Sequence, residues 1–290
     1  PVKYIILTHA HEDHRGGVPT WKAAGTEIVQ QRNAVEFQHY MRRLSGFFSG
    51  RNAAQFGNAL GRELPPATGN YAAQIDATIL VDETYEFKLG GLTFQLFHTP
   101  GETYDHMSVW IPELKAAFVG DNYYTSFPNM YTLRGTKPRW ALDYTESLDK
   151  VMSWNPEIVL PSHGSAIVGA EDVKKRLTKY RDAILYVHDA TVAGMNAGKD
   201  VFTLMKEIAL PPELNVGEGY GTLAWSVRGI YEGYAGWFDG NPATMYSTPP
   251  SSAYPELVRL AGGADVVAKR AAEVLKEGKI NEALHLADVA

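Results

Sequence analysis

Residues 4–17 read YIILTHAHEDHRGG, a short apolar run followed by a histidine-rich segment and two glycines. The apolar run at 4–7 predicts a buried strand, and the two glycines at its end predict a turn that begins a helix. His9 and His11 are two positions apart, so their side chains point the same way on an extended segment. The stretch therefore predicts metal ligands presented at the end of a strand.

Two more potential ligands follow where the chain turns. Asp13 and His14 lie just beyond the strand and can face a second ion. Three imidazoles and a carboxylate within six positions form a specific motif, and they predict a dinuclear metal cradle. The alternative, a set of surface histidines near a turn, is disfavoured because further ligands occur later in the chain.

The composition narrows the chemistry of such a site. The chain has 290 residues, enough for one large or two ordinary domains, and it contains no cysteine. A metal must therefore be bound by His, Asp, Glu or water, which suit Zn²⁺, Mn²⁺ or Fe. The net charge is −6 without a long run of Lys or Arg, so we expect no nucleic-acid partner and disfavour a nuclease. No apolar stretch is long enough to span a bilayer.

The pattern along the chain changes once. Short β-rich segments predominate at first, and helical spacing takes over later. We expect a catalytic domain at 1–170 and a helical domain at 171–290. A Gly-, Asn- and Pro-rich stretch at 50–71 predicts a long loop, where Phe56 and Leu60 are candidates to contact an alkyl tail. Because the first strand begins almost at once and the last helical pattern ends abruptly, we expect a piece of a longer protein. Its localisation stays open between the cytoplasm and an exported compartment.

Three further candidate ligands lie beside predicted strands. His106 follows a turn and precedes a strand, whereas Asp121 and His163 follow strands. Strand ends at the rim of a sheet are where an α/β scaffold places its chemistry. One ion can be bound by His9, His11 and His106, the other by Asp13, His14 and His163, and Asp121 can bridge the two.

This ligand set predicts a hydrolase. Two dications about 3.5–4 Å apart hold a bridging water and lower its pKa towards about 7, so no protein nucleophile is needed. Ser162 precedes a histidine, but the chain has no Gly-x-Ser-x-Gly elbow, which disfavours a serine hydrolase. A dimerising scaffold with a vestigial metal site is a further alternative, and the complete ligand set argues against it.

The runs THAHEDHRGG, HTPGETYDHM, FVGD and PSHG, in this order, resemble the metallo-β-lactamase superfamily over residues 1–165. The resemblance implies an αββα sandwich, two sheets with outer helices, and it implies the seven ligands named above. The family also has strands before its first histidine motif, and this chain lacks them.

A second resemblance concerns the C-terminal half. The run GIYEGYAGWFDGNPA at 229–243 is similar to the alkyl sulfatase dimerisation domain, and the segment that ends at Arg134 is similar to the one that follows the bridging ligand in alkyl sulfatases. In that group the Arg at this position contacts the sulfate, which suits a planar guanidinium. The best-known alkyl sulfatases carry glutamates at the positions of His106 and Asp121, so this chain departs from them in its ligands.

These observations assign roles to individual residues. We predict catalytic roles for Asp13, Asp121 and Arg134, and substrate contacts for Arg134, Asn122 and Tyr123. Alternatives are a salt bridge for Arg134 and core packing for Tyr123. Glu102 is interpreted as a structural turn residue, with a role behind a metal ligand as the alternative.

The predicted function is hydrolysis of alkyl sulfate esters by water that two Zn²⁺ ions activate, with Mn²⁺ or Fe also fitting the ligands. The alternative is a hydrolase of the same superfamily that acts on lactones, carboxylic esters or thioesters. An aromatic cluster predicts either core packing or a homodimer interface, and its members are Trp225, Tyr231, Tyr234, Trp237 and Phe238.

Overall fold

The computed structural model describes residues 2–55 and 74–290. Its first sheet has three parallel strands in the order β1-β2-β3, which run over Tyr4–Ile6, Glu27–Gln31 and Ile79–Val81. Parallel neighbours need crossover connections, and helices supply them. These helices are α1 (Glu12–Arg15), α2 (Val18–Trp21), α3 (Asn33–Arg43) and α4 (Ser45–Gln55).

The second sheet has six strands, and each strand pairs with the next one along the chain. They are β4 (Thr84–Leu89), β5 (Leu92–His98), β6 (Met107–Ile111), β7 (Ala116–Gly120), β8 (Ile158–Pro161) and β9 (Ile167–Val168). All pairs are antiparallel except β7 with β8, whose connection contains helix α5 (Ala141–Ser153). Because β7 and β8 run parallel, the residues that follow them emerge at the same edge.

The two sheets share a buried core. Val29 of β2 and Val81 of β3 belong to the same cluster as Leu96 of β5 and Val109 of β6. A larger cluster covers the other face of the second sheet, where α5 packs against the long helix that follows β9. The predicted mixed α/β architecture of two sheets with helices outside them is therefore present in the described residues.

The rest of the chain is helical. The helices are α6 (Ala170–Asn196), α7 (Val201–Glu207), α8 (Leu223–Ala235), α9 (Tyr254–Ala261), α10 (Ala264–Lys276) and α11 (Ile280–Val289). The chain divides into two compact units, residues 1–234 and 235–290. The boundary near residue 170 coincides with the change from strands to helices and stays a prediction. None of the helices in the described part is long and apolar enough to cross a membrane.

One local prediction needs correction. The stretch at 50–71 was expected to be a loop, but α4 extends to Gln55, so its first six residues are helical. A glycine within a helix costs only about 1 kcal/mol relative to alanine, so Gly50 does not end α4. Residues 56–73, including Phe56 and Leu60, lie outside the described residues, so their predicted contact with an alkyl tail is not tested.

Candidate metal centre

The first group of potential ligands is buried between the two sheets. His9 follows β1, His11 precedes α1, and Asp121 follows β7. His9 Nε2 lies 2.9 Å from His11 Nδ1 and 3.7 Å from Asp121 Oδ2. One ligand atom from each residue lies within 4.8 Å of the other two, so the group can hold a metal ion.

The second group lies beside the first and is more exposed. His14 Nε2 lies 3.2 Å from Asp13 Oδ2, and His163 Nε2 lies 3.3 Å from both the Asp13 Oδ2 and the His14 Nε2 atoms. These three residues form a second set able to hold an ion. Asp121 reaches this set too, since its Oδ2 lies 3.2 Å from His14 Nε2 and 3.5 Å from His163 Nε2. Asp121 Oδ2 therefore lies within reach of both groups, and its bridging of two ions stays a prediction.

The sheet positions Asp121 and His163 together. The strands that precede them pair in parallel, with an irregular register before Gly120. Gly120 has a φ of +52°, and a Cβ atom there would lie 2.3 Å from His106 Nε2, so only glycine fits. Tyr144 donates a 2.8 Å hydrogen bond to the Asp121 carbonyl, and Tyr124 donates a 2.6 Å bond to Asp121 Oδ2. The carboxylate thus has a fixed direction.

His106, a predicted ligand, belongs to neither group. The Asp121 backbone N–H donates to His106 Nε2 at 3.2 Å, so this nitrogen carries no proton. The other ring nitrogen lies 3.2 Å from Thr99 Oγ1, which in turn lies 2.8 Å from Ser108 Oγ. Burial lowers the pKa of His106 to about 3 and keeps the ring neutral. His106 lies behind the first group with both ring nitrogens occupied.

Glu102, from the same turn as His106, faces the first group instead. Its side chain is buried, and Oε1 lies 3.8 Å from His11 Nδ1. Oε2 lies 2.5 Å from Arg139 Nη1. Burial raises the pKa of Glu102 to about 7, and the positive charge of Arg139 opposes this shift. The sequence predicted a structural role in the turn for Glu102. The spacing of residues within this turn does not indicate whether Glu102 or His106 faces the first group.

The donor set fits a metal ion. Asp121 Oδ1 is buried without a hydrogen-bond partner among the described residues, so it is free to bind a cation. Burial lowers the pKa of His9 and His11, which keeps both rings in the neutral form that binds metals. Burial also lowers the pKa of His14, but its hydrogen bonds with Asp121 and Asp13 outweigh this and raise it to about 9. The proton on His14 lies between the carboxylates of Asp13 and Asp121, in a position that also suits a metal cation.

A cavity of about 690 Å³ opens beside the second group. Its wall includes His11, Asp13, Asp121 and His163 together with Arg134. Arg134 Nη2 lies 3.5 Å from His11 Nε2, so a guanidinium faces the same space as the candidate ligands. Apolar and aromatic contact surface comes from Met41, Tyr124 and Tyr220.

Two predicted substrate residues do not line this cavity. Asn122 is buried, and its amide is used inside the protein, where Nδ2 donates to the Thr99 carbonyl and Oδ1 accepts from the Glu102 N–H. Tyr123 packs on Tyr180 within the core, with ring centroids 5.1 Å apart. Neither side chain therefore reaches the cavity, and their predicted substrate contacts have no support in this geometry.

Two family models match the chain. Residues 1–163 match the metallo-beta-lactamase superfamily, and residues 202–290 match the alkyl sulfatase dimerisation family. A linear primary-alkylsulfatase from a Pseudomonas species is 32% identical over 300 residues, which cover 96% of this chain and 57% of that protein. The alkyl/aryl-sulfatase BDS1 of Saccharomyces cerevisiae is 27% identical, with 96% of this chain and 47% of that protein covered. The chain spans about half the length of the curated relatives it matches.

The solved structure of the inverting sec-alkylsulfatase Pisa1 from Pseudomonas sp. superposes with a TM-score of 0.87. It is 22% identical in sequence, and the match covers 99% of this chain and 49% of that one. At this identity the likeness concerns the fold alone. It confirms the predicted fold class, a metallo-β-lactamase fold followed by a helical segment. With its N-terminal 163 residues matched by the family model, the chain belongs to the metallo-beta-lactamase superfamily.

Proposed function

We propose that this chain is the hydrolytic part of an alkylsulfatase, an enzyme that cleaves alkyl sulfate esters with the help of bound divalent ions. One observation carries the proposal: two ligand groups that share Asp121 face the same cavity as Arg134. The names of the relatives support the substrate class, since they are linear primary-, alkyl/aryl- and secondary-alkylsulfatases.

The chain's own residues supply the metal ligands. The buried group (His9, His11 and Asp121) would hold one ion, with Glu102 close enough to join it, and the open group (Asp13, His14 and His163) would hold a second. Two ions, Zn²⁺ first and Mn²⁺ or Fe as alternatives, suit imidazole and carboxylate donors. When bound, such ions supply Lewis acidity and activate water for attack.

Substrate recognition would depend on Arg134 and the cavity. A guanidinium offers paired N–H donors to sulfate oxygens, and its charge offsets the overall acidity of the chain. The apolar and aromatic part of the wall suits an alkyl group, and a volume of about 690 Å³ lies within the usual range for small-molecule sites, about 300–1,000 Å³.

The test compares dodecyl sulfate with a panel of lactones and carboxylic esters, with and without a chelator. We expect sulfate release that the chelator abolishes. Arg134→Ala should reduce turnover of dodecyl sulfate by about 10- to 100-fold, since a charged hydrogen bond contributes about 1.5–3 kcal/mol, and should affect lactones much less. Arg134→Lys, which keeps the charge, is the matched control. Turnover of lactones alone would replace this proposal with the ester or lactone hydrolase.

The helical segment supports a homodimer as part of the same proposal. Residues 202–290 match the dimerisation family, and Trp237 is 72% exposed in the described structure. Tryptophan is enriched at protein interfaces, so an exposed tryptophan within the matched segment is the residue to test. We expect Trp237→Asp to yield monomers in sizing chromatography. Val168→Asp changes an equally exposed apolar residue on β9 and should leave the dimer intact. A dimer that survives Trp237→Asp would contradict this role.

A further inference from the structure

A buried ion pair lies directly behind the first ligand group. The side chains of Glu102 and Arg139 are each only 1% exposed, and Arg139 Nη1 lies 2.5 Å from Glu102 Oε2. The other carboxylate oxygen faces forward, 3.8 Å from His11 Nδ1. One carboxylate thus contacts a buried cation on one side and a candidate metal ligand on the other.

Both partners of the pair are held in place. Arg139 Nη1 also donates a 2.8 Å hydrogen bond to the Asn129 carbonyl, which fixes the guanidinium. The backbone N–H of Glu102 donates a 3.0 Å bond to Asn122 Oδ1, and Asn122 Nδ2 donates a 2.7 Å bond to the Thr99 carbonyl. The turn that carries Glu102 is therefore fixed at its backbone by Asn122 and at its carboxylate by Arg139.

A carboxylate in this place needs its partner. Removing one member of a buried ion pair leaves an uncompensated charge, so the remaining group takes up a proton or turns away. Tyr220 cannot replace Arg139, since its hydroxyl lies 3.5 Å from Glu102 Oε1 and carries no charge. Groups that contact a metal ligand from behind commonly set its orientation, and their loss weakens metal binding.

We propose that Arg139 is a positioning residue of the metal centre: it fixes the Glu102 carboxylate with Oε1 turned towards His11, and so raises the affinity of the buried group for a divalent cation. This inference rests on the part of the proposed function that assigns a metal to this group. It is independent of the substrate, because the positioning concerns a ligand and not the sulfate ester.

The test is a double-mutant cycle on zinc affinity. The metal-free chain is titrated with Zn²⁺ against a chelating indicator as wild type, Arg139→Met, Glu102→Gln and the double variant. We expect Arg139→Met to weaken zinc binding by about 10- to 100-fold. In the Glu102→Gln background the same substitution should change affinity by no more than about twofold, because Arg139 acts through Glu102. Arg139→Lys keeps the charge and should remain closer to wild type.

Arg181→Met serves as the control. It removes an arginine that pairs with Asp149 on the helical face, away from the candidate ligands, and should leave zinc affinity unchanged. Equal weakening by Arg139→Met in both backgrounds would overturn the proposal, as would unchanged or tighter zinc binding. If Arg139→Met does not fold, as judged by circular dichroism, the cycle is run with Arg139→Gln, which also removes the charge that pairs with Glu102, under the same criteria. Zinc affinity is measured without substrate, so a failure to release sulfate would contradict the proposed function and leave this result standing.

Discussion

The two ligand groups of the metal centre differ in their access to water. His9 and Asp121 of one group are buried among hydrogen-bonded neighbours, whereas the side chains of Asp13 and His163 in the other are 60% and 49% exposed. Hydrogen bonds to neighbouring side chains hold His9 and Asp121 in place, and residues of both groups contribute to the cavity wall. Under the proposed function we therefore expect the buried group to hold an ion firmly and the open group to leave room for water and substrate.

The largest effect is expected at the residue that belongs to both groups. Asp121→Ala removes the carboxylate that contacts His9, His14 and His163, so both halves lose a ligand at once. We expect turnover of dodecyl sulfate to fall by about 10³-fold or more, the equivalent of several kcal/mol of transition-state stabilisation. Kinetics and metal analysis of the purified variant measure this. Intact turnover would contradict a shared centre.

A matched pair of histidine variants compares the buried group and the open group directly. His9→Ala leaves a buried void beside Asp121, while water can replace the imidazole lost in His163→Ala. We expect zinc affinity to fall by at least about 100-fold for His9→Ala and by about 10-fold for His163→Ala. Competition with a chelating indicator measures both. Equal losses would mean that burial does not distinguish the groups.

A matched pair of glycine variants tests how tightly the backbone is packed beside each ligand group. Gly120 and Gly164 both have positive φ, but a Cβ at Gly120 meets His106, whereas one at Gly164 meets nothing within 4 Å. We expect Gly120→Ala to lower the free energy of unfolding by about 2–4 kcal/mol, from overpacking and backbone strain together. Gly164→Ala carries only the strain, about 1–2 kcal/mol. Urea unfolding of the metal-free protein separates the two, and similar values would contradict the difference in packing.

The smallest effect is a pH dependence of the metal-free protein. Burial lowers the pKa of His14, but its hydrogen bonds with Asp121 and Asp13 raise it from 6.5 to about 9. Protonated His14 therefore contributes stability that is complete below pH 6.5 and is lost as the pH rises through 9. We expect the melting temperature of the metal-free chain to fall over this window, and His14→Gln to flatten the profile. Unchanged melting across the window would show that the proton is not held there.

The sequence predicted the fold class correctly, for physical reasons, and the structure brings Asp13, His14 and His163 close together, although their role as ligands stays a prediction. An apolar strand followed by His-x-His-x-Asp-His leaves little freedom, because the alternation of a strand and the start of a helix set the directions of the side chains. Asp121 and His163 were predictable as neighbours since both follow strands of an α/β sheet. Their direct proximity follows from the parallel pairing of β7 with β8, which only the structure shows.

Other parts of the site could not be predicted. Glu102 and His106 belong to one turn, and the sequence does not show which of them faces the first ligand group. The answer depends on contacts with Asn122, Gly120 and Arg139, which are distant in sequence. Asn122 follows a candidate ligand directly, and only the tertiary structure shows that its amide is used inside the protein. Sequence patterns fix the direction of side chains on regular elements, but not within turns, where long-range hydrogen bonds decide.

The closeness of His14 and His163 has a consequence for the stability and the abundance of the protein. These residues are 149 positions apart, yet their Nε2 atoms lie 3.3 Å from each other. An ion held between them would join helix α1 to the segment that follows β8, which are far apart along the chain. Binding to the native state alone stabilises it by about 4.1 kcal/mol when the free ion is at a thousandfold its dissociation constant. If the proposed ion is bound there, a shortage of that ion would expose more of the protein to proteolysis and lower its abundance, in addition to lowering its catalytic activity.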